Sequence, residues 1–526
     1  MWLILFHSFR WISRQLETLH RDRSILHGIR DDPQAAQALL STLGTGLEEQ
    51  LDEISEEKSQ DAILLFKCLI AAFRPLRLRE VAEIIATQSK RDTTCYGMNL
   101  PSEYRAFIDE RNLKGSKIVQ FSSPFVKEFL TSEHLQTSKY GNISRYHITQ
   151  GVAHTALSRV CIRVLLQLDG DVDKISLRSL PLSLAFYAGS YWVDHIRSGN
   201  VSQNLDIMKQ LFDPGKSHLE VWVWMYDVEN ERRRTMEDLE SRPSPRSATA
   251  LYYAASCNFS ELVIYLANAY PEDLMDTTKY GYHGAPLHVA SYKGYLGVAR
   301  ALLECRADVN EPVDDRTPLQ AAYSGKQWGA MKLLLQHRAN MNAGDTFNQT
   351  LLHRASRDGQ SKALAVLLDH QANINARNRN GWTPLHWAVL RGHIEVTKYL
   401  LDKGAAVNLQ SLNKNTPLYI ASITGNLEVV EMLLRSGADA SIKGEHDWTP
   451  LEAARGNGRD TIAKLLSSGG NRMPLNRDIP TNEVQQMKRR ALLVGITYSK
   501  TYSDMWPQLY GPHDDVDNYR GLLVSG

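Results

Sequence analysis

Three groups of side chains in this sequence have types and spacings that could do chemistry. His353 and His386 stand 33 residues apart in matching surroundings, and paired imidazoles can ligate a metal or relay a proton. His513 beside Asp514 and Asp515 has the makings of a general base held by a carboxylate, or of an acidic calcium site. Gly115-Ser116-Lys117 has the ending of a phosphate-binding loop, where backbone N–H groups and a lysine cradle an anion. The thiols are Cys68, Cys95, Cys161, Cys257 and Cys305.

The elements that must position these groups argue against each. No G-x-x-x-x-G-K-[ST] pattern occurs, and Gly115 opens no helix, so it reads as a turn before a strand. His513 lies at the entry of an expected helix, where acids suit the first turn electrostatically. The cysteines are scattered and odd in number, with no C-x-x-C, which argues against a disulfide framework or a zinc site and fits a reducing compartment. His353 and His386 fall at one position of a repeated phrase, where they are expected to hydrogen-bond a turn. No intact catalytic set is left, so we expect no enzyme activity, no cofactor and no metal.

The chain has 526 residues, enough for two to four folded units. Sixty basic residues against 59 acidic give a net charge of +1, so no bulk field favours nucleic acid or an anionic membrane. With 43% hydrophobic and 23% charged residues the composition is that of a folded chain. Apolar runs such as Met1–Phe6 and Ala62–Phe66 fall far short of the ~18 residues that span a bilayer. Met1–Phe6 lacks the basic start and cleavage site of a signal peptide. A cytoplasmic location without membrane insertion is expected.

The repeated phrase organises the second half. It runs Ala285-Pro-Leu-His288, Thr317-Pro-Leu-Gln320, Thr350-Leu-Leu-His353, Thr383-Pro-Leu-His386, Thr416-Pro-Leu-Tyr419 and Thr449-Pro-Leu-Glu452, with a faded copy at Thr249-Ala-Leu-Tyr252. Successive starts are 36, 32, 33, 33, 33 and 33 residues apart. A leucine follows 17 residues after the start at Leu302, Leu334, Leu367, Leu400 and Leu433, and an alanine 22 residues after it from Ala307 to Ala438. Thr is a good N-cap and Pro suits the first helical position, so each phrase starts a short helix. A glycine nine residues on, as at Gly294, Gly359, Gly392, Gly425 and Gly458, predicts a left-handed helix end; Gly325 comes one place early and leaves Lys326 in the slot. A second helix carries the leucines. One such unit cannot bury its apolar face alone, so neighbours must stack.

The period and phrase resemble the ankyrin repeat over about Arg246 to Asn471. The resemblance implies a protein-binding surface made of hairpin fingers and inner helices. The residues it nominates are Phe347, Gln349, Arg379, Asn380, Trp382, Asn413, Asn415, His446 and Trp448. Trp382 and Trp448 directly precede helix starts; each is either a binding anchor or a cover for the neighbouring turn.

Residues 1–228 lack the period. Apolar spacing predicts helices near Phe9–His20, Asp32–Leu40, Thr45–Ile54, Gln60–Phe73, Arg79–Ala86, Pro124–Leu130, Ile148–Leu168, Ser183–His195 and Asn204–Phe212, with a strand at Lys117–Phe121. The phrases Phe9-Arg-Trp-Ile-Ser-Arg-Gln-Leu16, Leu47-Glu-Glu-Gln-Leu-Asp-Glu-Ile54, Phe73-Arg-Pro-Leu-Arg-Leu-Arg-Glu-Val-Ala82, Phe121-Ser-Ser-Pro-Phe-Val-Lys-Glu-Phe-Leu130 and Leu180-Pro-Leu-Ser-Leu-Ala-Phe-Tyr187 carry a second resemblance. They are similar to the segment behind the nucleotide-binding module in fungal NACHT–ankyrin proteins of the STAND signalling class. Ser123 stands where that family commonly has His. The resemblance implies a winged-helix-like domain and a helical connector, with the NTPase core upstream of Met1. A winged helix also suits DNA, but acidic Asp109, Glu110 and Glu128 interrupt the basic Lys114, Lys117 and Lys127, so nucleic acid is not expected.

Near the other end, Ala491-Leu-Leu-Val-Gly-Ile-Thr-Tyr498 reads as a buried strand and Trp506–Tyr519 as the start of a helix. This looks like the first strand and helix of a caspase-like or metacaspase domain. Those peptidases use a His and a Cys, and no cysteine follows Cys305.

The fold class expected is mainly α: a helical and winged-helix-like N-terminal region, an ankyrin solenoid and a short α/β fragment. The expected divisions are a helical region at 1–135, a connector at 136–228, a linker at 229–246, about seven repeats at 247–471, a linker at 472–487 and a caspase-like fragment at 488–526. The expected function is a non-catalytic scaffold or receptor that binds a protein ligand on the ankyrin concave surface, in signalling of the NOD-like type. The alternative is a fragment of a nucleotide-switched caspase-like cysteine peptidase. The sequence leaves the oligomeric state open.

Overall fold

A computed structural model describes residues 44–89, 102–113, 116–138, 142–168, 184–228, 232–233, 248–275 and 280–468. The helices expected at Phe9–His20 and Asp32–Leu40, the linker at 472–487 and the caspase-like segment with His513, Asp514 and Asp515 lie outside the described residues, as does nearly all of the linker at 229–246. Two compact units divide the chain, residues 1–308 and 309–526. Both are mainly helical, and the first also holds a three-stranded sheet and a two-stranded pairing of Tyr226–Asp227 with Arg232–Arg233.

The first unit opens with α1 (residues 44–52) and α2 (Glu56–Ala71). Helix α2 buries Ala62, Leu65, Phe66, Cys68 and Ile70, an apolar set that runs around the helix and places it between neighbours. It packs against α3 (Leu78–Ser89) and α5 (Gln150–Leu166). The sheet is antiparallel: β1 (Leu76–Arg77) and β2 (Ile108–Leu113) flank β3 (Ser116–Phe121), with Leu76 opposite Val119 and Ile108 opposite Phe121. Ser116 and Lys117 thus open a strand. Helix α4 (Pro124–Thr131) begins at Ser123, whose buried hydroxyl accepts the N–H of Phe125, with Pro124 in the first turn.

Helix α5 also packs on α6 (Ala185–Ser198) and α7 (Val201–Leu211). A chain of polar groups joins α5 and α6. The N–H of Phe73 donates to Tyr187 Oη (3.3 Å), which lies 2.9 Å from His195 Nε2, and His195 Nδ1 lies 2.8 Å from His154 Nδ1. Burial pushes His195 down to about 3 and lowers His154 as well, so the pair rests neutral.

The sequence pattern missed β1, β2 and α8 (His218–Met225). Helix α8 joins an aromatic core: Trp222 meets Trp192 of α6 edge-on at 5.0 Å, and Trp192 lies 5.6 Å from Phe259. Phe259 separates α9 (Ala250–Ser256) from α10 (Ser260–Ala269), the two helices of the faded first repeat. Arg197 donates to the Cys257 carbonyl (3.2 Å) and Ser202 to Glu261 (2.6 Å). The first repeat is therefore closed off by α6 and α7, as an end unit of a solenoid must be. The second repeat, α11 (Pro286–Lys293) and α12 (Leu296–Glu304), completes this unit.

Among its described residues the second unit holds five helix pairs. The inner helices are α13 (Pro318–Ser324), α15 (Leu351–Arg357), α17 (Pro384–Arg391), α19 (Pro417–Thr424) and α21 (Pro450–Gly456). Their outer partners are α14 (Trp328–Gln336), α16 (Ser361–Asp369), α18 (Ile394–Asp402), α20 (Leu427–Arg435) and α22 (Asp460–Ser467). The threonine caps form as expected; Thr317, Thr350, Thr383 and Thr449 make reciprocal capping boxes with Gln320, His353, His386 and Glu452. Leu334, Leu367, Leu400 and Leu433 are fully buried, about 1.5–3 kcal/mol each by transfer. The slot nine residues after each start is left-handed whatever fills it: Gly392 has φ 69° and Lys326 has φ 54°.

Candidate protein-binding surface

The surface begins with the fingers that link each outer helix to the next inner helix. Three of them are closed by a polar side chain five residues before the capping threonine. Asp345 Oδ1 accepts the N–H groups of Phe347 and Gln349, both at 2.9 Å. Asn378 Oδ1 accepts those of Asn380 (3.0 Å) and Trp382 (2.9 Å), and Ser411 Oγ accepts that of Asn415 (3.1 Å). The same residues' own N–H groups donate to the carbonyls of Gln349, Trp382 and Asn415. Three residue types, Asp, Asn and Ser, do one job, because each offers an oxygen at the distance an Asx or Ser turn needs.

Adjacent fingers are joined tip to tip. Arg379 N–H donates to the Phe347 carbonyl and Leu412 N–H to the Asn380 carbonyl, both at 2.9 Å. Gly381 makes the second approach possible: its φ is 72°, and a Cβ there would meet Leu412 N at 3.0 Å. At the next step the Asn415 side chain substitutes for a carbonyl, with Oδ1 accepting Glu445 N–H at 2.9 Å.

Histidines pin the fingers from below. Thr350 N–H donates to His353 Nδ1 (3.2 Å), which leaves the proton on Nε2 to donate to the Trp382 carbonyl (3.0 Å). His386 repeats this with Thr383 N–H (3.1 Å) and the Asn415 carbonyl (3.0 Å). Burial holds His353 below its ordinary range and His386 down at about 4, so both stay neutral. They are turn clamps, as their repeat position implied. Tyr419 fills the same place in the next repeat, and its hydroxyl donates to the Glu445 carbonyl at 3.0 Å.

The nominated residues divide by exposure. Phe347, Arg379, Asn413, His446 and Trp448 are exposed along the tips, and Gln349, Asn380 and Trp382 are half-buried. Asn415 is only 8% exposed, its side chain tied to Glu445. Trp382 leans on Trp387 with ring centroids 5.1 Å apart. Trp448 is 42% exposed and lies over Gly456, where an added Cβ would touch its ring. The pattern reading missed Leu412, which is 70% exposed at a tip, and Leu390, half-exposed on α17. Leu412 carries no sequence signal, since a lone apolar residue in a polar turn has no period.

Among the described residues no group of three or more His, Cys, Asp or Glu side chains is placed to hold a metal ion. No helix there is long and apolar enough to cross a membrane.

Comparison with known families agrees with this geometry. A model for ankyrin repeats in three copies matches residues 200–313 and 319–411, and one for many copies matches residues 391–434. The chain carries ankyrin repeats. No curated protein matches it.

Proposed function

We propose that this protein is a non-catalytic scaffold or receptor-type protein that binds a protein ligand on the finger tips and inner helices of its ankyrin repeats. The observation that carries this reading is the row of tips from Phe347 through Arg379 and Leu412 to His446, held in register by backbone and side-chain bonds and left open to solvent. A surface fixed before binding loses little conformational freedom on binding. The resemblance of the N-terminal phrases to NACHT–ankyrin proteins supports a place in NOD-like signalling.

A photo-crosslinking amino acid placed at Asn413 in the full chain tests the reading. Proteins captured at Asn413, and not from Lys398 on outer helix α18, are the expected result. Equal capture from both positions, or none from either, overturns it. The purified chain is expected to hydrolyse neither ATP nor Arg-, Lys- or Asp-containing peptides, and steady turnover of either would contradict the non-catalytic reading.

A further inference from the structure

The inner helices carry a charge pattern that the fingers do not explain. Arg354 and Arg357 lie three residues apart on α15, on one side of the helix and both half-buried, while Leu352, Ala355 and Ser356 face the interior. The Arg354 guanidinium sits 5.4 Å above the Tyr323 ring, and that of Arg357 sits 6.0 Å from the Trp387 ring. Asp358 takes the Arg357 Nε–H (3.0 Å) on one oxygen and the Tyr323 hydroxyl (2.9 Å) on the other. This fixes the Arg357 plane through Nε and leaves its terminal amino groups unused by that carboxylate. Arg354 pairs with no carboxylate among the described residues. Beyond them Leu390 is half-exposed and Arg391 exposed on α17, and the Trp387 Nε1–H is buried without an acceptor.

Two like charges one turn apart destabilise a helix, and Asp358 meets only Arg357 of the two. A guanidinium presents its in-plane N–H groups as a fork, the geometry that a carboxylate fills with two parallel bonds. The neighbouring tips carry exposed Asp314, Asp315 and Asp345, which would repel a long polyanion.

We infer that the inner-helix row Arg354–Arg357–Trp387–Leu390 is the recognition site for an acidic peptide segment of a partner protein, with carboxylate side chains on the two arginines and an apolar side chain against Leu390. This rests on the protein-binding reading above and adds the chemistry of its ligand.

The test is selection of a phage-displayed random 12-residue peptide library on the full chain, followed by titration of the best peptide in synthetic form. The expected result is enrichment of Asp and Glu in the selected set. Exchange of those acids for Asn and Gln, or the R354Q/R357Q variant, should weaken binding about 10- to 100-fold. The R354K/R357K variant should retain part of the affinity, since lysine keeps the charge and loses the fork. A thermal melt of each variant checks the fold, and affinity is compared only among folded proteins; the amide peptide on the wild-type chain tests the point with no variant at all. Selected peptides without acidic enrichment overturn the inference while leaving the protein-binding reading intact. Selection of none, together with empty Asn413 crosslinks, overturns both. Tighter binding of a 20-nucleotide single strand than of the peptide, lost in R354Q/R357Q, also overturns the inference, because the site would then be one for phosphates.

Discussion

His386 Nε2 and the carbonyl oxygen of Asn415 lie 3.0 Å apart, and that bond ties the start of one repeat to the end of the next finger, 29 residues along the chain. The carbonyl also accepts the Ser411 N–H, so both its lone pairs are used inside the protein. His353 and the Trp382 carbonyl make the same pair one repeat earlier.

Removing the clamp should cost stability. His386→Ala leaves Thr383 N–H and the Asn415 carbonyl short of a partner in a buried place, a loss of about 2–4 kcal/mol. His386→Gln should cost less, because Gln320 already accepts the Thr317 N–H at 3.0 Å in the third repeat. Urea denaturation followed by tryptophan fluorescence reads the difference. Equal midpoints for wild type and His386→Ala would show that the clamp does not hold the repeats.

The clamps also set a pH dependence. In the unfolded chain each histidine titrates near its ordinary value of about 6.5, while in the folded protein His386 titrates at about 4 and His353 is lowered too. Between those values the unfolded chain binds more protons, so stability rises with pH. The contribution is whole above pH 6.5 and is lost as pH falls toward 4, on the order of 3 kcal/mol for His386. The His154–His195 pair in the first unit acts with the same sign. Urea midpoints at pH 7, 5.5 and 4.5 should fall steeply for the wild type and less steeply for H353Q/H386Q. Parallel curves would exclude the clamps as the source.

Trp382 and Trp448 should separate when replaced by alanine. Trp382 is half-buried against Trp387, so Trp382→Ala should lower stability by about 2–3 kcal/mol through lost packing. Trp448 is more exposed and packs mainly over Gly456, so Trp448→Ala should cost about 1 kcal/mol and act on ligand capture at Asn413. Thermal melts and crosslinking yields measure the two effects. The reverse order of stabilities would refute this account of the two rings.

Lys326 offers a stabilising change. Its φ of 54° is a conformation that L side chains enter at a cost, and the equivalent residue of the fifth repeat is Gly392. Lys326→Gly should raise stability by about 0.5–1 kcal/mol, a shift in urea midpoint at unchanged slope. A lowered midpoint would mean that the lysine stem makes packing worth more than the strain.

Sequence patterns revealed the repeats because Thr-Pro, the paired leucines and the left-handed slot are local rules obeyed at each turn of the stack. They failed at Ile108–Leu113, a charged outer strand defined by its pairing with β3, and at His218–Met225, which is apolar almost all round and shows no helical face. On the binding surface, Trp382 and Trp448 were legible from their place before the helix starts. Asp345, Asn378 and Ser411 were not, since three residue types mask one function. Arg354 and Arg357 gain meaning only from rings that lie about thirty residues away on other helices.

Glu452 occupies the clamp position of the last described repeat, and among the described residues its carboxylate accepts from Thr449 alone, at 2.7 and 2.9 Å. His353, His386 and Tyr419 each reach forward; Glu452 turns back on its own helix. Protection against hydrogen–deuterium exchange should therefore fade along the array, with amides of α21 and α22 exchanging first and those of α15 and α17 last. The array would open first at the repeat whose clamp turns back, so the time a ligand stays bound would depend on which fingers of the row it occupies.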